Sequence, residues 1–267
     1  MKKEERKMFY KFGDTKKRVP YICSLGYNNT DETIFAIRRA IPAGADGFLI
    51  HTEKMKEEYK DDENLKKIFS SALDKPVLAL AYRGKQGETE DDRAKYLLRC
   101  IDCGAASIDV MSDFYDPQEE QFTWDKEAVR KQTQLIDEAH KRGADVLMST
   151  HAIKRMLPLE QIIKQAKEAE NRGADIVKIV LRPNSFDEVT DGLVITRETA
   201  KAINKPLLLI LGGNYGKATR ITAPLFGSCM VLCVETYDYA ANTDKPLLSE
   251  VKAVYDNIDL AKYKAFD

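Results

Sequence analysis

Eight short apolar runs, separated by longer amphipathic stretches, constrain this chain more than any other feature. The runs are Tyr21–Leu25, Gly47–His51, Pro76–Tyr82, Ala106–Val110, Asp145–Ser149, Ile176–Leu181, Pro206–Leu211 and Cys229–Val234. Their near-continuous apolar character suits strands buried on both faces of a parallel sheet. Helical patterns lie between them: one from Thr30 to near Gly44, then 61–73, 88–103, 125–142, 159–172, 196–203 and 248–258. Gly-Ala-Asp recurs at 44–46, 143–145 and 173–175, with Gly-Ala-Ala at 104–106, each time between a helix pattern and a strand pattern. Two of these joints follow a basic residue, Arg142 and Arg172. A cation complements the C-terminal helix dipole, and Gly takes the left-handed residue that ends the helix. Repeated joints of one kind indicate repeated βα units. Eight such units in 267 residues predict a single-domain (β/α)8 TIM barrel of the α/β class, which takes about 250 residues. An open doubly wound sheet would most often carry a Gly-rich phosphate turn after its first strand, and Leu25-Gly26-Tyr27-Asn28-Asn29 is not one. No Pro/Gly/Ser-rich linker divides the chain. The barrel domain is set at 21–267, behind a charged leader at 1–20.

Composition narrows the function. A net charge of −1 gives no global basic field for nucleic acid or an anionic membrane surface. No apolar run approaches the roughly 18–20 residues of a membrane span. The basic start of the chain is followed by no apolar signal region, so it does not read as a secretory leader. Five cysteines, an odd number in a chain of this size, read as free thiols in a reducing cytoplasm. Cys100-Ile101-Asp102-Cys103 lacks a second pair or a nearby His to make a zinc set.

Catalytic groups of parallel barrels sit at the C-terminal ends of the strands. Lys178 lies inside Ile176-Val177-Lys178-Ile179-Val180, and Lys is rarely buried without a partner. Desolvation favours its neutral amine, the nucleophile of imine chemistry. The alternatives are an outward-facing Lys or one paired with a carboxylate such as Asp109. His151 ends the preceding strand, so it would neighbour Lys178 at the barrel mouth and could shuttle protons near neutral pH. Arg83 ends the third strand. Arg220 lies in the Gly-rich segment after the seventh, a place where barrels bind anions. His51 ends the second strand, and His140 reads as surface or helix-end structure. His51, His151 and Asp109 could converge on a metal, but no local ligand spacing supports one.

These residues resemble the type I 3-dehydroquinate dehydratases from Tyr21 to about Val234. Gly173-Ala174-Asp175-Ile176-Val177-Lys178-Ile179 is similar to that family's imine-lysine strand, and Ser149-Thr150-His151 to its catalytic-histidine strand. Ala81-Tyr82-Arg83 resembles its Thr-Phe-Arg element. Gly216-Lys217-Ala218-Thr219-Arg220, followed by Leu225-Phe226-Gly227-Ser228, resembles the segment whose Arg binds the substrate carboxylate. The resemblance implies a cytoplasmic shikimate-pathway lyase of aromatic amino acid biosynthesis. It would be a homodimer without cofactor or metal, acting on a small carboxylated carbonyl compound, with Lys178 and His151 catalytic and Arg220 and Arg83 binding substrate. Three departures stand out. Leu49 and His51 occupy positions where the family shows Glu-x-Arg, which makes His51 a substrate-binding candidate. Gln86 stands nearest to the family's His-orienting Glu, with Glu88 as a substitute for it. Residues 237–243 replace its Ser-Ala-x-x-Gln lid. They leave open a lyase or aldolase for another carbonyl substrate, or a ligand-binding homologue without activity.

Overall fold

The computed structural model describes residues 19–84, 87–241 and 243–258. The strands are β1 (Tyr21–Leu25), β2 (Gly47–His51), β3 (Val77–Leu80), β4 (Ser107–Met111), β5 (Asp145–Ala152), β6 (Ile176–Leu181), β7 (Leu207–Leu211) and β8 (Val231–Cys233). The helices are α1 (Thr30–Ala43), α2 (Asp62–Ser71), α3 (Glu90–Asp102), α4 (Lys126–Lys141), α5 (Leu159–Asn171), α6 (Phe186–Ala202), α7 (Gly213–Gly216), α8 (Thr219–Thr222) and α9 (Leu248–Tyr255). All strand pairs are parallel, in the order β7-β6-β5-β4-β3-β2-β1-β8. The expected α/β barrel is therefore present. Among the described residues its ends, β7 and β8, share no ladder; they are joined by a bridge between Leu207 and Ser228, where Cys229 N–H donates to the Leu207 carbonyl at 2.7 Å and the Ser228 hydroxyl to the Leu209 carbonyl at 3.4 Å. The predicted leader falls almost wholly outside the described residues. No helix among them is long and apolar enough to cross a membrane.

Alternation along the strands divides the core. Ile22, Leu49, Leu78, Leu147, Ile176, Leu208 and Leu232 pack together inside the ring. Their odd-numbered or even-numbered neighbours, such as Cys23, Phe48, Ile50, Val146, Val177 and Leu209, face the helices in two outer clusters. Side chains alternate every residue along a strand. The inward series therefore continues from Leu49 to His51, from Leu147 to Ser149 and His151, and from Ile176 to Lys178. The interiors of β2, β5 and β6 are thus apolar at the base and polar at the C-terminal end.

Local chemistry sets the helix limits. Asn29, Asp61, Thr89, Asp125 and Ser185 each cap a helix by accepting a backbone N–H. Helix α6 starts ten residues before its predicted start at Thr196, capped by Ser185. The turns after β7 and β2 carry short helices. Gly216 is required in the first of these, because a Cβ there would sit 2.4 Å from the Leu211 carbonyl group.

Candidate active site

The inward ends of β4, β5 and β6 place three polar groups in contact. Ser149 and Lys178 are register partners on β5 and β6. Lys178 is 5% exposed, and its Nζ donates to Asp109 Oδ2 at 3.0 Å. Ser149 Oγ donates to Asp109 Oδ1 at 2.5 Å. The carboxylate thus takes the Lys178 ammonium on one oxygen and the Ser149 hydroxyl on the other. A buried Lys so held is fixed in direction, with its charge matched.

His151 stands two residues further up β5. Its Nδ1 meets Gln121 Oε1 at 2.7 Å, while Gln121 Nε2 donates to the Tyr82 hydroxyl. With the amide nitrogen turned to Tyr82, the imidazole proton lies on Nδ1 and Nε2 keeps a lone pair. Burial, then the Lys178 charge, then His51 push the His151 pKa well below its ordinary value. A neutral imidazole with one nitrogen held and the other open can accept a proton. The Tyr82 ring lies 5.4 Å from the imidazole and fixes its plane.

Gln121 was not foreseen. It lies in the segment between β4 and α4, ten residues past the strand, with φ 51°. A non-glycine residue in the left-handed region costs energy and marks places where surroundings dictate conformation. The surroundings here include Arg172, whose guanidinium donates to the carbonyls of Ser112 and Thr123 at 3.2 and 2.7 Å and to Gln132. Asp113 accepts the N–H of Gln118 at 2.9 Å. The segment is tied at both ends, and Gln121 is aimed by it. Gln86, expected near this role, lies outside the described residues, and Glu88 pairs instead with Arg93.

The remaining candidates separate. Arg83 is held by protein at each of its three nitrogens: Nε donates to Glu90, Nη1 to the Asp113 carboxylate and Nη2 to the Asp113 carbonyl, each at 2.7 Å. These bonds brace β3 against the segment that carries Gln121. His51 meets Glu53 Oε1 at 2.8 Å and Ser24 Oγ at 3.1 Å, and burial lowers its pKa. It lies at the same end of the barrel as His151, whose charge state it influences. Arg220, on α8, is half-buried and its Nε has no hydrogen-bond partner. Burial lowers its pKa too. His140 lies on the outer side, bonded to Asp175 at 2.8 Å. No trio of metal-ligating side chains occurs among the described residues.

Fold and site together define a class: an α/β barrel with a buried Lys–Asp pair and an oriented neutral His at the C-terminal mouth. The sequence profile of type I 3-dehydroquinase matches residues 21–259, and the chain belongs to that family. The 3-dehydroquinate dehydratase of Klebsiella pneumoniae is 32% identical over 163 residues, 60% of this chain and 61% of that one. That of Neisseria gonorrhoeae is 34% identical over 101 residues, 38% and 39% of the two chains. The matches thus span about two fifths to three fifths of these relatives. Among solved structures, the type I enzyme of Clostridium difficile superposes with TM-score 0.78 at 19% identity, covering 92% of this chain and 94% of that one. At that identity the likeness concerns the fold.

Proposed function

We propose that this protein is a lyase: a Schiff-base-forming dehydratase that eliminates water from 3-dehydroquinate or a related cyclic β-hydroxy ketone acid. The observation that carries the reading is the placement of Lys178, paired to Asp109, beside a neutral His151 whose Nε2 is open. The amine of Lys178, once it has passed a proton on, attacks the ketone carbon, and the resulting carbinolamine loses water to give an iminium ion. The iminium withdraws electrons from the adjacent C–H bond. His151 Nε2 takes that proton, and the electron pair forms an enamine. The enamine expels the β-hydroxyl, which leaves as water with the proton returned by His151. Water then cleaves the imine and frees Lys178. Asp109 steadies the positive nitrogen throughout, and Ser149 holds the second carboxylate oxygen. Arg220 holds the substrate carboxylate. His51, Arg83 and Gln86 remain candidates for contact with the substrate, Arg83 requiring release from Asp113 or Glu90.

The relatives named 3-dehydroquinate dehydratase support the substrate. The Clostridium difficile structure, described as holding covalently modified comenic acid, supports a covalent step in this fold. Borohydride added during incubation with 3-dehydroquinate should fix a mass on the peptide containing Lys178 and none in Lys178→Met. Turnover without a trapped adduct, or an adduct elsewhere, overturns the mechanism.

A further inference from the structure

Arg220 has a cationic neighbour that the sequence pattern did not single out. Lys245 precedes α9 on the loop after β8 and is only 8% exposed. Its backbone is fixed on both sides. The Tyr237 hydroxyl donates to the Lys245 carbonyl at 2.8 Å, and Val234 N–H donates to the Pro246 carbonyl at 3.0 Å. Tyr237 is itself covered by the Lys217 ammonium, 5.5 Å from its ring.

Its charged neighbours come from several elements. Arg220 on α8 acts on it most strongly, then Lys54 from the turn after β2, then Lys178 on β6; all three repel it, and Asp244 attracts it. Lys54 lies at the rim between the loops after β1 and β8: a Cβ on Gly26 would stand 3.0 Å from Lys54 Nζ and 3.1 Å from the Ala240 carbonyl. Burial and these cations pull the Lys245 pKa down to about 7. Asp244 attracts Lys245 and Arg220 alike, while Arg220 Nε is buried without a hydrogen-bond partner. A buried ammonium beside a half-buried guanidinium, with three cations acting on it against one carboxylate, carries an excess of positive charge that is unfavourable in a fold's own terms. Such an arrangement is suited to a ligand that brings the negative charge.

We propose that Arg220 and Lys245 form a two-cation clamp for a carboxylate of the ligand, with Lys245 the residue that sets how selectively an anionic compound is held. This rests on the reading of the barrel mouth as the substrate site. The clamp takes the carboxylate from two sides: a planar guanidinium that can donate two parallel bonds, and a point-charge ammonium that gains its proton as the anion enters. An uncharged amide of the same shape would bring no such gain.

Calorimetric titration with quinate and with quinamide tests the clamp without turnover. Lys245→Met should weaken quinate binding by about tenfold or more and leave quinamide unchanged, and Lys245→Arg should restore most of the loss. At pH 8, titration in buffers of different ionisation heat should show proton uptake with quinate in the unaltered protein and none in Lys245→Met, a difference that a merely structural Lys would not produce. Equal quinate affinity in Lys245→Met, equal loss for quinamide, or no quinate binding by the unaltered protein overturns the proposal. Borohydride trapping separates this from the mechanism. Adduct formation on Lys178 with quinate binding indifferent to Lys245 removes the clamp alone. Lys245-dependent quinate binding without any adduct removes the imine chemistry alone.

Discussion

Replacing Lys178 with methionine keeps the length of the side chain and deletes its charge. The side chain of Asp109 is 2% exposed and keeps only the Ser149 hydroxyl. Removing one partner of a buried ion pair costs about 3–5 kcal/mol, because the other charge is left uncompensated. The surviving bond from Ser149, a neutral donor to a charged acceptor, keeps the loss near the lower end, about 3 kcal/mol. For a domain of this size each kcal/mol moves Tm by roughly 2–4 °C, so the midpoint should fall by roughly 6–12 °C. Adding Asp109→Asn to the same chain removes the stranded charge and retains an acceptor for Ser149. The double variant should regain about 2 kcal/mol or more over Lys178→Met, a coupling expected of groups in direct contact. Urea unfolding followed by circular dichroism measures both steps. A single-variant loss below about 1 kcal/mol, well under the range for a broken buried pair, or a double variant less stable than the single one, would refute the assignment of a buried, charged pair. The double variant should also be stable and untrappable, which separates the pair's part in the fold from its part in the chemistry.

Two further perturbations address His151 at the mouth and His140 on the outer side. Gln121→Glu places a carboxylate against His151 Nδ1, now 2.7 Å from the amide oxygen. Because the folded His151 titrates below 6.5, its neutral form and the stability tied to it persist above pH 6.5 and are lost as pH falls through the folded value. The acid limb of kcat/KM should therefore lie below pH 6.5 and move up by about one unit or more in the variant; an unmoved limb shows that Gln121 does not face the base. His140 has the opposite sign: its bond to Asp175 raises its pKa above 6.5, so its contribution is present below pH 6.5 and is lost as pH rises through the folded value. With the side chain 37% exposed, His140→Gln should cost under about 1 kcal/mol at pH 5.5 and close to nothing at pH 9. Equal losses at both pH values in urea unfolding would rule this out.

The fold was legible because every strand of the barrel is buried on both faces, which writes eight apolar runs into the chain. Lys178 and His151 were legible for the same reason, as polar residues interrupting or ending such runs. The first half of α6 was not. Phe186 and Val194 are exposed, so its apolar residues blur the stripe that marks a helix. Gly192 sits within it because a Cβ there would meet Leu211 at 2.7 Å. Gln121 was hidden differently: its pairing with His151 spans 30 residues and depends on a left-handed backbone that no side-chain pattern announces. Lys245 was masked by its setting, since Asp244-Lys245-Pro246 has the composition of a solvated turn. Arg83 was placed at the right strand end, but its three bonds go to two residues, Glu90 of α3 and Asp113 of the segment after β4, and such partners are not read from one strand.

The single bridge between Leu207 and Ser228 gives the ring a seam. Elsewhere adjacent strands share a ladder; here the ends of an eight-stranded ribbon are held by that bridge and by the Ser228 hydroxyl bonded to the Leu209 carbonyl. Such a joint can part locally while the ladders stay closed, in the way proteins open in sub-global units with different free energies. The amide of Cys229, bonded across the seam to Leu207, would then exchange with solvent sooner than amides in the β5–β6 ladder. Arg220 belongs to the connection that crosses this seam and Lys245 to the loop just past it. An anion gripped by both would act as a rivet on the weakest joint of the ring, so that occupancy of the mouth would be felt as stiffness in the wall.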